Sequence, residues 1–224
     1  MGDVRRLIAF DLDGTVVDSR RDLAQSANQL IVEFGGSELP EDVIGRMVGE
    51  GAAVLVDRAL TEAGVVNDPK ALPRFLEIYD GRLLKHTRVY PGIADAIRAA
   101  RRNSRVSVLT NKPVTSSERI LEGLGLRELF DDVIGGDGPF PRKPNPAGLL
   151  ALIERAGVTL ADTLLIGDSR IDHETAKNAG VQCCLATYGF GYETFPADRL
   201  DGREWIAVEP GDVAGFVERF TAGA

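Results

Sequence analysis

The stretch from Leu7 to Thr15 constrains the fold of this chain most strongly, because it joins a buried strand to a pair of acids. Leu7-Ile8-Ala9-Phe10 is a short apolar run, and Asp11-Leu12-Asp13-Gly14-Thr15 follows it directly. Such a run, ended by turn residues, is typical of a buried strand. Residues i and i+2 of an extended segment point to the same side, so the carboxylates of Asp11 and Asp13 would crowd each other where the strand ends. A divalent cation would relieve this crowding, and oxygen ligands of this kind suit Mg²⁺.

Two simpler interpretations of the acid pair compete with a metal site. The acids could cap the strand and enter a solvated Asp-Gly turn, which is the common fate of an isolated Asp-x-Asp-Gly. They could also open a calcium loop of the EF-hand type. That loop needs a preceding helix and a glycine at its sixth position, whereas Gly14 is fourth and follows a strand. Motifs further along the chain decide between the turn and the metal site.

The rest of the sequence divides into a helical segment and a segment in which strands and helices alternate. From Asp18 to about His86 the apolar residues recur at helical spacing, and no strand pattern interrupts them. From Tyr90 onward, short apolar runs alternate with helical stretches, which predicts βαβ units. We therefore predict an α/β fold with a doubly wound, mostly parallel, Rossmann-like sheet. Residues 1–17 and 90–224 would form this core, and residues 18–89 would be an inserted α-helical unit.

Three predicted strands end in residues that carry chemistry. Asp11, Thr110 and Asp168 each follow an apolar strand, and sheets of this class bind ligands at the carboxyl ends of their strands. Together with Asn111 and Lys143, they combine cation-binding carboxylates with groups that bind a small dianion. A phosphoryl group fits this set best, because phosphoryl transfer mainly requires positioning and charge neutralisation. One carboxylate can then be the nucleophile, while the acid two residues later protonates the leaving oxygen.

Composition excludes several other kinds of partner. The formal net charge is −8 and no basic face with interleaved aromatic residues is visible, so we expect no nucleic-acid partner. No apolar run approaches the ~18 residues that a membrane span needs. The sequence enters its first strand without room for a signal peptide, and the adjacent Cys183 and Cys184 lie within an apolar run as small core residues. These features predict a protein of the reducing cytoplasm.

Four segments together carry a family resemblance. They are Asp11-Leu12-Asp13-Gly14-Thr15, Leu109-Thr110-Asn111-Lys112-Pro113, Lys143-Pro144-Asn145-Pro146 and Gly167-Asp168-Ser169-Arg170-Ile171-Asp172. Each follows a predicted strand or precedes a predicted helix, and their order along the chain is that of a known family. The chain resembles the haloacid dehalogenase superfamily of phosphohydrolases, and within it most closely the phosphoglycolate phosphatases.

The resemblance implies a role for each residue that handles the phosphoryl group. Asp11 would be the nucleophile that forms an aspartyl-phosphate, and Asp13 would be the general acid and base. Thr110 and Asn111 would bind the phosphate oxygens. Lys143 would neutralise both the nucleophile and the transferring group.

The same resemblance implies a Mg²⁺ site. Asp11, the backbone carbonyl of Asp13 and the Asp168 carboxylate would bind the ion. Asp172 has two open alternatives: an outer partner that orients Lys143, or a contact to the metal through water.

In this family the helical insertion is a mobile cap that closes over the substrate. The resemblance therefore implies hinges near Val17–Ser19 and His86–Tyr90, on either side of residues 18–89. Gly49-Glu50-Gly51 resembles the substrate-contacting loop of such caps, although a plain turn between helices explains the same residues.

Several functions remain open at this stage. The favoured one is Mg²⁺-dependent hydrolysis of 2-phosphoglycolate. A sugar-phosphate mutase, a pyrophosphatase or a nucleotidase of the same superfamily is an alternative, and Thr15 favours hydrolysis because mutases often have an apolar residue there. A phospho-accepting receiver domain is the non-enzymatic alternative, but such domains are about half this length and lack a helical insertion. We expect a small phosphorylated metabolite as the partner, and a monomer or homodimer.

Overall fold

The computed structural model describes residues 6–66 and 68–222; the remaining ends of the predicted core, and Asn67 of the predicted insertion, lie outside the described residues. The strands are β1 (Arg6–Phe10), β2 (Val17–Asp18), β3 (Arg88–Val89), β4 (Ser104–Leu109), β5 (Asp132–Ile134), β6 (Thr163–Gly167), β7 (Gln182–Ala186) and β8 (Trp205–Ala207). The α-helices are α1 (Arg20–Glu33), α2 (Glu41–Gly45), α3 (Ala52–Glu62), α4 (Ala71–Asp80), α5 (Ile93–Ala100), α6 (Val114–Gly123), α7 (Ala147–Ala156), α8 (Arg170–Ala179) and α9 (Asp212–Ala222). Short 3₁₀ helices occur at Arg127–Leu129, Leu160–Asp162, Phe190–Thr194 and Ala197–Arg199.

A six-stranded sheet in the order β5-β4-β1-β6-β7-β8 forms the core, and its strands pair in parallel. The chain runs outward from β1 through β4 to β5, and then returns to the other side of β1 for β6, β7 and β8. The carboxyl end of β1 is therefore the point at which strand order reverses, where sheets of this class bind ligands. The predicted parallel α/β core is confirmed.

Helices cover both faces of the sheet, and the side chains of β1 show why. Ile8 and Phe10 belong to a core cluster that includes apolar residues of α5, α6 and α9. Leu7 and Ala9 belong to a second cluster, with residues of α7 and α8. All four side chains are completely buried, which explains the unbroken apolar run in the sequence. Each buried leucine, isoleucine or phenylalanine contributes roughly 1.5–3 kcal/mol, so β1 anchors both layers.

Helices α1 to α4 form a bundle between β2 and β3. Helix α1 packs against the other three, and α3 packs against α4. Leu30, Leu60 and Phe75 come from three of these helices and are at most 1% exposed. Their cluster continues into the sheet face that contains Phe10, so the bundle rests on the core. Within the described residues, no helix is both long and apolar enough to cross a membrane.

The chain enters and leaves the bundle through a two-stranded ribbon. Strands β2 and β3 are antiparallel, with Val17 opposite Val89 and Asp18 opposite Arg88. The sequence pattern does not predict these strands, because two residues are too few to show an alternation of apolar and polar side chains. The ribbon brings the two ends of the helical insertion together.

Asp22, in the first turn of α1, fixes the exit from the bundle. Its side chain is fully buried, and one carboxylate oxygen accepts hydrogen bonds from the backbone N–H groups of His86 and Thr87. The Thr87 hydroxyl donates to the same oxygen, and all three distances are 2.8 Å. A buried carboxylate with three donors holds the start of α1 and the chain before β3 as one unit.

Candidate active site

The turn after β1 places the acid pair at the centre of the sheet edge. The N–H of Asp11 donates to the carbonyl of Ile166 at 2.8 Å, so parallel pairing with β6 continues to the first acid. Gly14 then adopts a φ of +82°, and a Cβ there would lie 1.9 Å from Asp168 Oδ2. Glycine is therefore required at this position both for its backbone conformation and for the close approach of Asp168.

Three buried carboxylates meet at this point. Oxygen atoms of Asp11, Asp168 and Asp172 all lie within 4.8 Å of one another. They come from the ends of β1 and β6 and from the first turn of α8. The structure thus brings together Asp11 and Asp168, the two side chains predicted as metal ligands.

The electrostatics of the cluster fit a bound cation. Burial, and then the neighbouring Asp172 carboxylate, raise the pKa of Asp11 to about 6. Burial, followed by Asp172 and Asp11, raises the pKa of Asp168 well above its usual range. Asp11 Oδ1 is also buried without an aligned hydrogen bond among the described residues. Crowded carboxylates that resist ionisation are the environment that a divalent cation stabilises, so these residues fit the predicted metal.

Lys143 lies between two of these acids. Its Nζ atom is 2.8 Å from Asp11 Oδ1 and 2.5 Å from Asp172 Oδ1, and the side chain is buried. Burial alone would lower the pKa of the ammonium, but the Asp11 and Asp172 carboxylates outweigh it and raise the pKa above its usual range. Lys143 therefore carries its charge beside the predicted nucleophile.

Asp172 holds Lys143 and also starts α8. Its second oxygen accepts from the backbone N–H of Ser169 at 3.1 Å and from the Ser169 hydroxyl at 2.6 Å, within a capping box. Both carboxylate oxygens are thus engaged by protein groups. This arrangement favours the first of the two predicted alternatives, in which Asp172 orients Lys143.

Asn111 connects the core to the helical bundle. Its side-chain amide donates to the carbonyl of Gly49 at 2.9 Å and to the carbonyl of Lys143 at 3.0 Å. Its side-chain oxygen accepts from the Lys143 N–H at 2.9 Å. A phosphate contact by Asn111 stays a prediction, and would use its backbone, since these bonds occupy the side chain. Thr110 is buried and lines the same cavity as the acids.

Sequence reasoning missed the role of Lys112, which binds the predicted general acid. Its Nζ atom lies 2.7 and 3.0 Å from the two oxygens of Asp13, and the Ser19 hydroxyl donates to one of those oxygens at 2.5 Å. The same Nζ atom is 4.6 Å from the centre of the Tyr79 ring, in α4. The available signal was the position of Lys112 inside the Thr-Asn-Lys-Pro segment, at the predicted sheet edge.

The sequence indicates a loop at 187–192, but not that its glycines contact Asp168. The N–H of Gly191 donates to Asp168 Oδ2 at 2.7 Å. A Cβ on Gly189 would lie 2.3 Å from the Cβ of Asp168, so the loop after β7 reaches the acid only without side chains. The available signal was the pair Gly189 and Gly191, which stand two positions apart just after the apolar run of β7.

A small cavity separates the acids from the bundle. Its volume is about 50 Å³, enough for a few water molecules, and residues of the core and of the bundle both line it. Gly49 and Gly51 of the predicted substrate loop belong to this lining. The Glu50 carboxylate pairs instead with Arg58 at 2.6 Å. A substrate contact by this loop stays a prediction.

Known proteins resemble this chain in sequence and fold. Residues 8–186 match the model of the family described as haloacid dehalogenase-like hydrolase. A phosphoglycolate phosphatase of Rhodospirillum rubrum is 41% identical over 84% of this chain and 82% of that protein. One of Pseudomonas putida is 38% identical over 85% of this chain and 72% of that protein. A crystal structure described as a predicted phosphoglycolate phosphatase, from Haemophilus somnus 129pt, has a TM-score of 0.85 at 29% identity and covers 96% of this chain and 99% of that chain. The chain therefore belongs to the haloacid dehalogenase-like hydrolase family, and it is a phosphatase.

Proposed function

We propose that this phosphatase hydrolyses 2-phosphoglycolate with Mg²⁺ as its cofactor and Asp11 as its nucleophile. The observation that carries the proposal is the position of Asp11, between the Lys143 ammonium and the buried acids at the switch point of the sheet. The names of the relatives described above support the choice of substrate.

The residues divide the reaction into two transfers. In the first, an oxygen of Asp11 attacks phosphorus, the bond to the ester oxygen breaks, and Asp13 gives that oxygen its proton. In the second, Asp13 takes a proton from water while the water oxygen attacks phosphorus, which releases phosphate and restores the Asp11 carboxylate. Lys143 neutralises Asp11 and the phosphoryl oxygens, and Thr110 donates to one of those oxygens.

The same site would hold the metal through the side chains of Asp11 and Asp168 and the backbone carbonyl of Asp13. When bound, the ion supplies positive charge to the phosphoryl oxygens. Asp172 keeps Lys143 in place beside this site, and Gly191 orients Asp168.

We further propose that residues 18–89 are a cap that moves on the core of residues 1–17 and 90–224. The ribbon of β2 and β3 is the natural hinge, because both crossings lie side by side there. Closure would exclude water during the first transfer and shape the leaving-group pocket. The contact of Asn111 with the Gly49 carbonyl supports a closed state that the core itself stabilises.

The first test is phosphate release from a panel of esters with Mg²⁺. The panel contains 2-phosphoglycolate, pyrophosphate, nucleoside monophosphates, and glucose 1- and 6-phosphates. We expect turnover that favours 2-phosphoglycolate, stops in EDTA and falls about 10³-fold or more in Asp11→Asn, which lacks the nucleophile. Asp95→Asn, at an exposed acid of α5, is the control and should retain full activity.

Two results would contradict the proposal. Equal or better turnover of a sugar phosphate or pyrophosphate would assign a different substrate. Undiminished phosphate release by Asp11→Asn would remove the aspartyl-phosphate mechanism.

A further inference from the structure

The cavity presents one cation to whatever occupies it. Of the charged side chains that line it within the described residues, Asp11, Asp13 and Asp168 are acids and Lys112 is the only base. Lys143 lies beside Asp11, where it pairs with that acid and with Asp172. A negative group on the leaving side of the substrate therefore has Lys112 as its cationic partner.

Asp13 and Tyr79 are the present neighbours of the Lys112 ammonium. An ammonium has three N–H groups, and the two oxygens of Asp13 account for two of them. The Lys112 side chain is 4% exposed, so a further acceptor has to come from inside the cavity.

Tyr79 supplies a second donor on the same wall. It comes from α4 of the bundle, lines the cavity and is 3% exposed. Its hydroxyl is buried, and within the described residues its one polar neighbour is the Lys112 ammonium, with which it makes no well-aligned hydrogen bond. The Lys112 ammonium lies 4.6 Å from the centre of the Tyr79 ring and close to its hydroxyl, so a single acceptor in the cavity can bind both donors.

The position of Asp13 limits how far the substrate carboxylate can lie from the ester oxygen when it binds Lys112 and Tyr79. The ester oxygen that Asp13 protonates has to lie within about 3.2 Å of its carboxylate. Lys112 Nζ lies 2.7 Å from the same carboxylate. A carboxylate separated from the ester oxygen by a single carbon can therefore bind Lys112 while the ester oxygen faces Asp13.

The remaining cavity wall argues against larger polar leaving groups. On the bundle side Leu55, Phe75 and Leu76 provide apolar surface. The hydroxyl groups of a sugar would be buried against these side chains without partners, which strongly disfavours binding. A two-carbon acid places its one polar group on Lys112 and Tyr79.

We propose that Lys112 and the Tyr79 hydroxyl form the site for the leaving-group carboxylate, and that this site selects phosphate esters of short 2-hydroxy acids. The proposal rests on the proposed function and deepens it. Lys112 would hold Asp13 and the substrate carboxylate together, so substrate recognition and the general acid share one side chain.

The kinetic test compares 2-phosphoglycolate with ethyl phosphate, which replaces the carboxylate by a methyl group. We expect Lys112→Met to lower kcat/KM for 2-phosphoglycolate about 100-fold and for ethyl phosphate less than about 5-fold. Tyr79→Phe, which removes only the hydroxyl, should lower kcat/KM for 2-phosphoglycolate about 10-fold. Lys177→Met, at an exposed lysine of α8, is the matched control and should change neither value.

Lys112→Met also leaves Asp13 without its cation, so the ratio between the two substrates is the decisive quantity. A selective loss for 2-phosphoglycolate supports the carboxylate site. An equal loss for both substrates would overturn it and leave Lys112 as a support for Asp13 alone.

A binding measurement separates this inference from the proposed hydrolysis. Calorimetric titration of Asp11→Asn with 2-phosphoglycolate and with ethyl phosphate, in Mg²⁺, needs no turnover. We expect at least a tenfold preference for 2-phosphoglycolate that disappears when Lys112→Met is added. If the wild-type protein releases no phosphate and this preference still depends on Lys112, hydrolysis is wrong and the carboxylate site stands. A preference that survives Lys112→Met overturns the site.

Discussion

The Asp11 carboxylate lies in a buried position whose surroundings destabilise its ionised form. Its carboxylate is buried beside Asp168 and Asp172, and the cation that pairs with it, Lys143, is shared with Asp172. Burial and this excess of negative over positive charge raise the pKa of Asp11. The protein alone therefore destabilises the ionised form of Asp11, and the proposed metal ion and phosphoryl group would offset this.

This imbalance predicts how Asp11→Asn changes stability in EDTA. The carboxyl is neutral in both states below its unfolded pKa of 3.8, and the folded value is about 6. Between these values the native state binds more protons, so the free energy of unfolding falls as pH rises, and the full penalty persists above pH 6. Asparagine avoids the penalty. We expect Asp11→Asn to raise Tm by on the order of 5 °C at pH 7.5 and to leave it unchanged near pH 4, as measured by thermal melts.

Adding Mg²⁺ provides the control for this prediction. The ion should raise the Tm of the wild-type protein at pH 7.5 more than that of Asp11→Asn, because the variant lacks one carboxylate ligand. A lower Tm for Asp11→Asn in EDTA at pH 7.5 would show that the ion pair with Lys143 outweighs burial.

The sequence predicts some residues of the site better than others, for a physical reason. Asp11, Asp168 and Lys143 stand in motifs whose strand or helix context is visible locally, and the structure brings them together as predicted. Asp13 and Lys112 are 99 positions apart in the sequence. Their contact depends on how far the ends of β1 and β4 are offset along the sheet. Neither the periodicity nor the composition of the sequence predicts the distance between Asp13 and Lys112.

Among the elements, α1 is tied to the chain before β3 by a single buried acid. Asp22 links its first turn to the chain before β3 through three hydrogen bonds. The helices of the bundle are visible in the sequence because their apolar stripes are long. The ribbon of β2 and β3 is not visible in the sequence, because its strands are short. Tertiary contacts, including those of Asp22, stabilise it.

We expect Asp22→Ala to lower the free energy of unfolding by about 2–4 kcal/mol, because it leaves buried N–H groups and a hydroxyl without their acceptor. Urea unfolding measures this change. Asp95→Ala is the matched control, since Asp95 is also an acid in the first turn of a helix but its side chain is 83% exposed. Asp95→Ala should cost less than about 0.5 kcal/mol. Equal losses for the two variants would show that Asp22 acts only through the dipole of its helix.

At the scale of the whole molecule, the Gly49–Gly51 loop is one of the places where the bundle contacts the core. The Gly49 carbonyl accepts from Asn111, and Gly51 has a φ of +95°. A Cβ on Gly51 would lie 3.0 Å from Arg142 Nη1 of the core. The contact between the bundle and the core therefore leaves little room for a side chain at Gly51.

Gly51→Ala should hinder closure and lower kcat/KM about 10-fold, mainly through KM, because the added methyl group crowds Arg142. Gly64→Ala is the control for backbone strain: Gly64 also has a positive φ, of +69°, but an added Cβ would meet nothing within 4 Å. Both variants should lose about 1–2 kcal/mol of stability from the backbone. Steady-state kinetics and thermal melts on the pair separate the two effects, and similar kcat/KM values for both would contradict a role in closure.

The ribbon of β2 and β3 makes this protein modular. Its paired strands hold the first and last residues of the insertion side by side, while the acids, Lys143 and the parallel sheet all lie outside it. A chain segment whose ends are neighbours can be exchanged for another without rerouting the rest of the fold. Transplanting a different helical insert between Asp18 and Arg88 is thus a route to new substrates on an unchanged chemical centre, provided that the insert supplies its own counterpart to Tyr79.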